Sequence, residues 1–159
     1  MGAPLIIQRS KTTTRLITVG YEGRSIEEYC SLLLTHGIRA VVDVRKNPIS
    51  RKKGFSKSAL ADALLNSGIA YFHLPNLGID SSLRQELKTD ADYKRLFSVY
   101  TKEILPLPLA QESLELLQDI QFRFSMIALT CFERDPKHCH RHCIADYIHG
   151  TEKIPVTHI

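Results

Sequence analysis

The residues best able to do chemistry lie close together near the end of the chain, within residues 129–141. Cys131 and Cys139 supply thiols, Glu133 supplies a carboxylate and His140 supplies an imidazole. Thiols and imidazoles act as nucleophiles and proton acceptors in enzymes, and a carboxylate beside them is a candidate general base. The spacing therefore predicts that Cys131, Glu133 and His140 are catalytic.

The same run is expected to bind an anion. A nearly apolar strand ends at Cys131, and a polar loop then leads into a helix that begins near Cys139-His140-Arg141. A helix N-terminus attracts anions and lowers the pKa of a thiol placed there, and an arginine adds a planar set of donors. Cys139 and Arg141 are therefore predicted to bind substrate. The plainer interpretation is a buried core cysteine with Arg141 in a structural salt bridge.

A second candidate segment follows another apolar strand. Asp43 interrupts that strand, and a buried carboxylate needs a partner, which Arg45 or another arginine can provide. A basic run and the aromatic Phe55 follow, as in a loop that holds phosphates while a ring stacks on a base. An exposed, solvated loop is the commoner explanation of such a run. Asp43 joins the predicted catalytic set, and the predicted substrate-binding residues here are Arg45, Arg51, Lys52 and Lys53.

Two weaker candidates follow other strands. Tyr21 lies between Gly20 and Gly23, which permit close approach of a backbone but match neither a dinucleotide fingerprint nor a P-loop. His73 ends a short strand and could titrate near neutral pH, although a hydrogen-bonded structural histidine is commoner. Tyr21 and His73 complete the predicted substrate-binding set.

Zinc is the one metal that the composition brings into consideration. The candidate ligands are Cys131, Cys139, Cys143, His138, His140 and His142. However, the chain has no Cys-x-x-Cys pair, and histidines at alternating positions cannot all face one ion. We therefore expect neither a metal nor another cofactor, with zinc kept as the minor alternative.

Length and charge narrow the class of protein. The chain has 159 residues, of which 43% are hydrophobic and 24% charged, as is typical of one globular domain. The net charge is only +4, but six basic residues fall between Arg45 and Lys57. A basic segment on a nearly neutral protein indicates a local anionic partner, here a nucleotide or nucleic acid. Apolar runs are too short for a membrane span, so we expect no membrane partner and a cytoplasmic location.

Strands and helices must position these residues. The predicted strands span residues 16–19, 40–44, 70–73, 125–131 and 156–159. The predicted helices start at a Ser25–Glu28 capping box and then cover residues 58–66, 83–88, 91–105, 109–120 and 140–149. This alternation predicts a three-layer α/β fold, with a mainly parallel sheet of about five strands and helices on both faces. We expect an N-terminal extension over residues 1–14 and one domain over residues 15–159.

Ligands of such sheets bind at the carboxyl ends of the strands. The segments after the first, second and fourth strands carry nearly all the candidates. We therefore expect one shared site at this edge of the sheet.

The ordered motifs of the chain resemble those of the bacterial and archaeal family called domain of unknown function 488. They include Val19-Gly20-Tyr21-Glu22-Gly23, Val42-Asp43-Val44-Arg45, Leu129-Thr130-Cys131-Phe132-Glu133 and Cys139-His140-Arg141. The resemblance implies a single α/β domain. It also implies a site built from Asp43, Arg45, Cys131, Glu133, Cys139, His140 and Arg141.

Three functions remain open on the sequence. The first is a protein, more plausibly an enzyme, that binds phosphate groups of a nucleic acid or nucleotide. The second is a sulfur-transferase-like or phosphatase-like enzyme in which Cys131 is the nucleophile and Arg141 holds the anion. These two residues are ten positions apart, a longer separation than in the compact anion-binding loops of such enzymes. The third is a structural metal-binding domain.

Overall fold

The computed structural model describes residues 13–159, and most of the predicted extension over residues 1–14 lies outside the described residues. Five parallel strands form one sheet in the order β3-β2-β4-β1-β5. The strands are β1 (Arg15–Gly20), β2 (Ala40–Asp43), β3 (Ala70–His73), β4 (Met126–Cys131) and β5 (Val156–His158). The predicted α/β fold with a parallel sheet is confirmed.

Helices cover both faces of the sheet. They are α1 (Ile26–Thr35), α2 (Lys57–Asn66), α3 (Asp90–Val99), α4 (Pro108–Phe124) and α5 (Arg141–Glu152). Successive strand side chains point to opposite faces, so Val41 packs in one core with α1 and α2, and Val42 packs in the other with α3, α4 and α5. Within residues 13–159, none of the helices combines the length and the apolar character needed to cross a bilayer.

The predicted start of the first helix is confirmed in detail. The amide of Glu28 donates to the Ser25 hydroxyl at 3.1 Å, and the amide of Ser25 donates to the Glu28 carboxylate at 2.8 Å. This reciprocal capping box satisfies two amides that otherwise have no partner within the helix. It fixes where the chain leaves the loop that follows β1.

Two predicted helices were wrong in extent or type. The helix predicted over residues 83–88 is only a 3₁₀ turn at Ser81–Arg84, and Glu86 adopts a φ of 65°, which a right-handed helix does not allow. The helix predicted over residues 91–105 is α-helical only to Val99. A π-helical turn, Tyr100–Ile104, continues it toward Pro106. The turn at residues 81–84 brings a polar segment to the carboxyl edge of the sheet.

The connections of the sheet create a crevice beside β4. Helix α1 follows β1 on one face, whereas α5 follows the adjacent strand β4 on the opposite face. The loops leaving these two neighbouring strands therefore separate at the carboxyl edge. Such a switch point is where open α/β sheets bind their ligands.

Candidate functional site

A cleft of about 300 Å³ opens at the carboxyl edge of the sheet. Tyr21 follows β1, Arg45 follows β2, Cys131 ends β4 and His140 immediately precedes α5, and all four residues line this cleft. The structure thus brings together predicted residues from three separate loops. A larger cavity of about 570 Å³ lies at the opposite, amino edge, and none of the predicted site residues lines it.

Gly20 allows the loop after β4 to lie against the end of β1. A Cβ atom built on Gly20 would lie 1.9 Å from the carbonyl oxygen of Glu133 and 2.8 Å from the Cα of Arg134. No side chain larger than hydrogen fits that approach without moving backbone. The glycine therefore sets the path of the loop that bears Glu133.

Asp43 and Arg45 form a buried ion pair at the end of β2. The Arg45 Nε donates to Asp43 Oδ1 at 2.9 Å, and Nη2 donates to Oδ2 at 2.6 Å. Tyr71 donates its hydroxyl to Asp43 Oδ2 at 2.7 Å. Burial lowers the pKa of Arg45, but the bonds and the charge of Asp43 outweigh it and raise the pKa above its ordinary value. The predicted carboxylate–arginine partnership exists, and it organises the site.

The Nη1 group of Arg45 bonds to two residues beside the cleft. Its Nη1 donates to the Tyr21 hydroxyl at 2.9 Å and to the carbonyl oxygen of Phe55 at 2.7 Å. The rings of Tyr21 and Phe55 stack in parallel with centroids 4.3 Å apart. Phe55 is 0% exposed, so the structure does not present it for base stacking. The ring packs in the core instead because the loop folds back over α1 and α2.

The basic loop contributes unevenly to the cleft. Arg51 is exposed and lines it. The Nζ of Lys52 lies over the Phe55 ring, 6.0 Å from its centroid, and Lys53 is exposed outside the cleft lining. Of the three consecutive basic residues predicted to bind substrate, the structure therefore places only Arg51 at the cleft.

Two thiols and an imidazole meet at the inner end of the cleft. The ligand atoms of Cys131, Cys139 and His140 all lie within 4.8 Å of one another, and all three residues are buried. We call these three residues the thiol–imidazole cluster. The Nε2 of His140 lies 2.9 Å from the carbonyl oxygen of Val44, and its Nδ1 lies 3.9 Å from the Cys139 sulfur.

The two thiols of the cluster differ in acidity. A hydrogen bond from Cys139 lowers the pKa of Cys131 well below its ordinary value, against the raising effect of burial, and His140 and Arg84 also lower it. Burial raises the pKa of Cys139, and the adjacent Cys131 raises it further. Cys131 is therefore the more acidic member of the pair.

Glu133 sits between the cluster and a cation. Its Oε2 lies 3.4 Å from the Cys131 sulfur, and its Oε1 accepts from Arg84 Nη2 at 2.5 Å. Burial and the nearby Cys131 raise the pKa of Glu133, although Arg84 acts in the opposite direction. The carboxylate is thus close enough to exchange a proton with groups at the inner end of the cleft.

Arg141 and His73 lie outside the lining of the cleft and contact backbone carbonyl oxygens. Arg141 is 0% exposed, and its Nη1 and Nη2 donate to the carbonyl oxygens of Glu133 and Arg134 at 2.5 and 3.0 Å. These two bonds hold the loop after β4, and among the described residues the buried Nε of Arg141 has no hydrogen-bond partner. His73 Nε2 lies 2.8 Å from the carbonyl oxygen of Arg45 and braces the loop after β2.

Eight of the residues that line the cleft were not among the predicted site residues, and three of these bear on ligand binding. Lys46 and Arg84 add positive charge to its lining, and Phe132 adds an aromatic ring that is 43% exposed. Phe132 contacts the Tyr21 ring edge-on at 5.4 Å. Arg84 comes from the turn after β3, which the sequence pattern had assigned to a helix. Lys46 belongs to the basic segment that indicated an anionic partner, and Phe132 directly follows the predicted Cys131.

A comparison with protein-family models finds one match, described as "Domain of unknown function DUF488", over residues 25–148. The match covers most of the chain. The chain belongs to this family. The matched region of this DUF488 protein contains Asp43, Arg45 and the whole thiol–imidazole cluster, whereas Tyr21 precedes it. No curated protein and no solved structure matches the chain.

Proposed function

We propose that this protein binds a nucleotide, free or as a unit of a nucleic acid, through its phosphate groups in the cleft at the carboxyl edge. The observation that supports this most directly is the charge of the cleft. Four cationic side chains line it, and its lining contains no aspartate or glutamate among the described residues. The four cations are Arg45, Lys46, Arg51 and Arg84.

The four cations divide into two kinds. Arg45 and Arg84 are held in place by Asp43 and Glu133. Lys46 and Arg51 are exposed, and within residues 13–159 neither forms a salt bridge. An arginine already paired with a carboxylate contributes less to anion binding than an unpaired cation. Lys46 and Arg51 are therefore the proposed phosphate contacts.

Phe132 supports a nucleotide over a simple inorganic anion. Its ring is half-exposed in the cleft and rests on Tyr21, so one face can accept a stacked base. Aromatic side chains that stack on unpaired bases are a recurring means of recognising single-stranded nucleic acids and nucleotides. A cleft of about 300 Å³ matches a single nucleotide unit better than a long duplex segment.

The test is calorimetric titration of the protein with inorganic phosphate, with mononucleotides and with short single-stranded oligonucleotides at low salt. Lys46→Gln and Arg51→Gln should each weaken binding roughly fivefold, as expected for an exposed charge pair of about 1 kcal/mol. Lys53→Gln is the matched control, because Lys53 is an exposed cation of the same loop outside the cleft lining.

Two outcomes would count against the proposal. One is an absence of binding to all three probes at low salt, and the other is an equal loss for Lys53→Gln and the two cleft variants. The dependence on salt separates the sources of the nucleotide. An oligonucleotide that makes several phosphate contacts shows a steep salt slope, whereas a mononucleotide in the cleft shows a shallow one.

A further inference from the structure

We infer that the thiol–imidazole cluster is a zinc site, with Cys131, Cys139 and His140 as three protein ligands and a fourth position open to the cleft. The ligand atoms of these three residues lie within 4.8 Å of one another. Zinc binds sulfur at about 2.3 Å and imidazole nitrogen at about 2.0 Å, so ligands of one ion lie about 3.3–3.8 Å apart. The ligand atoms of the cluster therefore lie within about 1 Å of that spacing.

The orientation of His140 is an independent sign of a metal ligand. A carbonyl oxygen only accepts hydrogen bonds, so the Nε2 that lies 2.9 Å from the Val44 oxygen carries a proton. Neutral His140 then has its lone pair on Nδ1, which faces the Cys139 sulfur at 3.9 Å. Metal-binding histidines commonly donate their second ring nitrogen to a backbone carbonyl in this way.

Charge balance also favours a divalent ion. Two thiolates and one Zn²⁺ are formally neutral together, and a buried site tolerates a neutral assembly far better than an isolated charge. The sequence made zinc only a minor alternative, because the chain has no Cys-x-x-Cys pair. The fold instead pairs a cysteine at the end of β4 with a cysteine just before α5, eight positions later.

An open fourth position gives the proposed nucleotide cleft a reactive centre, so this part of the inference rests on the proposed function. Cys131 and His140 both line the cleft, whereas Cys139 does not, so the open position faces the bound ligand. Zinc sites with three protein ligands bind water there and lower its pKa. Glu133 lies beside Cys131 and is placed to act as the general base.

The reaction class is hydrolysis of the bound nucleotide. A zinc ion held by the cluster would bind a water molecule and lower its pKa, and Glu133 would accept a proton from that water. The water oxygen would form a bond to a phosphorus atom of the nucleotide, and the bond from that phosphorus to the leaving oxygen would break. The leaving oxygen would keep the electron pair and take the proton from Glu133. Water is the only co-reactant, and no oxidation or reduction occurs.

The decisive experiment measures metal binding without any substrate. Metal-stripped protein, kept reduced, is titrated with Zn²⁺ against a chelating dye, and its stoichiometry is measured by native mass spectrometry. We expect one equivalent to bind. Co²⁺ in place of Zn²⁺ should give thiolate-to-metal charge-transfer absorption, which reports the two cysteine ligands in the unaltered chain.

Variants assign the ligands. Cys131→Ser and Cys139→Ser should each weaken Zn²⁺ binding at least about 100-fold, because even loss of a partner behind a metal ligand costs roughly 10–100-fold. Cys143→Ser is the matched control. Cys143 lies four positions after Cys139 in the same core but outside the cluster. Circular dichroism verifies that each variant is folded, and the Co²⁺ spectrum decides the matter if a serine variant does not fold.

The zinc inference fails if the unaltered protein binds no equivalent of Zn²⁺, if its Co²⁺ form lacks thiolate charge transfer, or if Cys143→Ser loses as much affinity as the cluster variants. Nucleotide binding is measured separately on the metal-stripped protein. A protein that binds nucleotide but takes up no Zn²⁺ refutes only the metal site, whereas a protein that takes up Zn²⁺ but binds no nucleotide refutes only the proposed function. Activity that survives metal removal but is lost on alkylation of Cys131 identifies a thiol nucleophile instead and overturns the hydrolytic role of zinc.

Discussion

Arg45 donates hydrogen bonds to both carboxylate oxygens of Asp43, from Nε at 2.9 Å and from Nη2 at 2.6 Å, and Asp43 is 0% exposed. Two-point pairing of this kind fixes the plane of the guanidinium as well as its position. The same guanidinium holds Tyr21 and the carbonyl of Phe55, so one ion pair joins the ends of β1 and β2. The shape of the cleft depends on this pair.

Asp43→Asn should destabilise the protein by about 3–5 kcal/mol, because it leaves the buried Arg45 without a counter-charge. The measurement is urea unfolding followed by circular dichroism. Tyr71→Phe is the matched control, since it removes one hydrogen bond to the same carboxylate and should cost only about 1.5 kcal/mol. If Asp43→Asn costs no more than Tyr71→Phe, the ion pair does not organise this edge.

Gly20→Ala should destabilise the protein and displace the loop after β4, because the new methyl group would lie 1.9 Å from the Glu133 carbonyl oxygen. Gly150→Ala is the control, because this substitution is expected to stabilise the protein. Gly150 lies in α5, and a Cβ built there has no atom within 4 Å. Its replacement should stabilise the helix by about 0.5–1 kcal/mol. The measurement is the Tm of both variants. An unchanged Tm for Gly20→Ala would refute the close approach of the loop after β4 to Gly20.

The strands and the first helix could be predicted from sequence because their signals are local. Apolar β-branched runs are typical of strands, and the Ser25–Glu28 spacing is a local signature of a helix start. The role of Arg141 could not be predicted, because its carbonyl partners are in a loop whose path depends on Gly20. Arg84 was missed for a similar reason. It meets Glu133 across 49 positions of chain, which no local pattern reports.

Acid stability should depend on Asp92, which caps the start of α3. Hydrogen bonds from the Lys88 and Thr89 amides and the Thr89 hydroxyl lower the pKa of Asp92 from 3.8 to about 2. Because the folded-state pKa is depressed, the stabilisation is complete above about pH 4 and is lost as the pH falls through the folded-state pKa of about 2. Asp92→Asn should therefore lower Tm at pH 7, and the difference should shrink steadily as the pH falls to 2.

The control for this pH profile is Asp62→Asn, an exposed aspartate in the middle of α2. Its Tm difference from the unaltered protein should stay small and constant between pH 7 and pH 2. A difference for Asp92→Asn that also stays constant over this range would show that the charge of Asp92 does not stabilise α3.

Phe132→Ala should weaken nucleotide binding and leave binding of inorganic phosphate unchanged. The ring is 43% exposed in the cleft, so its removal leaves the core intact. Stacking of one base on an aromatic ring contributes about 1–3 kcal/mol, which corresponds to roughly 5–150-fold in affinity. Phe132→Tyr retains a ring that can stack and should bind like the unaltered protein. The measurement is parallel calorimetry with a mononucleotide and with phosphate. An equal loss for both ligands would mean that Phe132 shapes the cleft and does not contact the base, because inorganic phosphate has no base to stack.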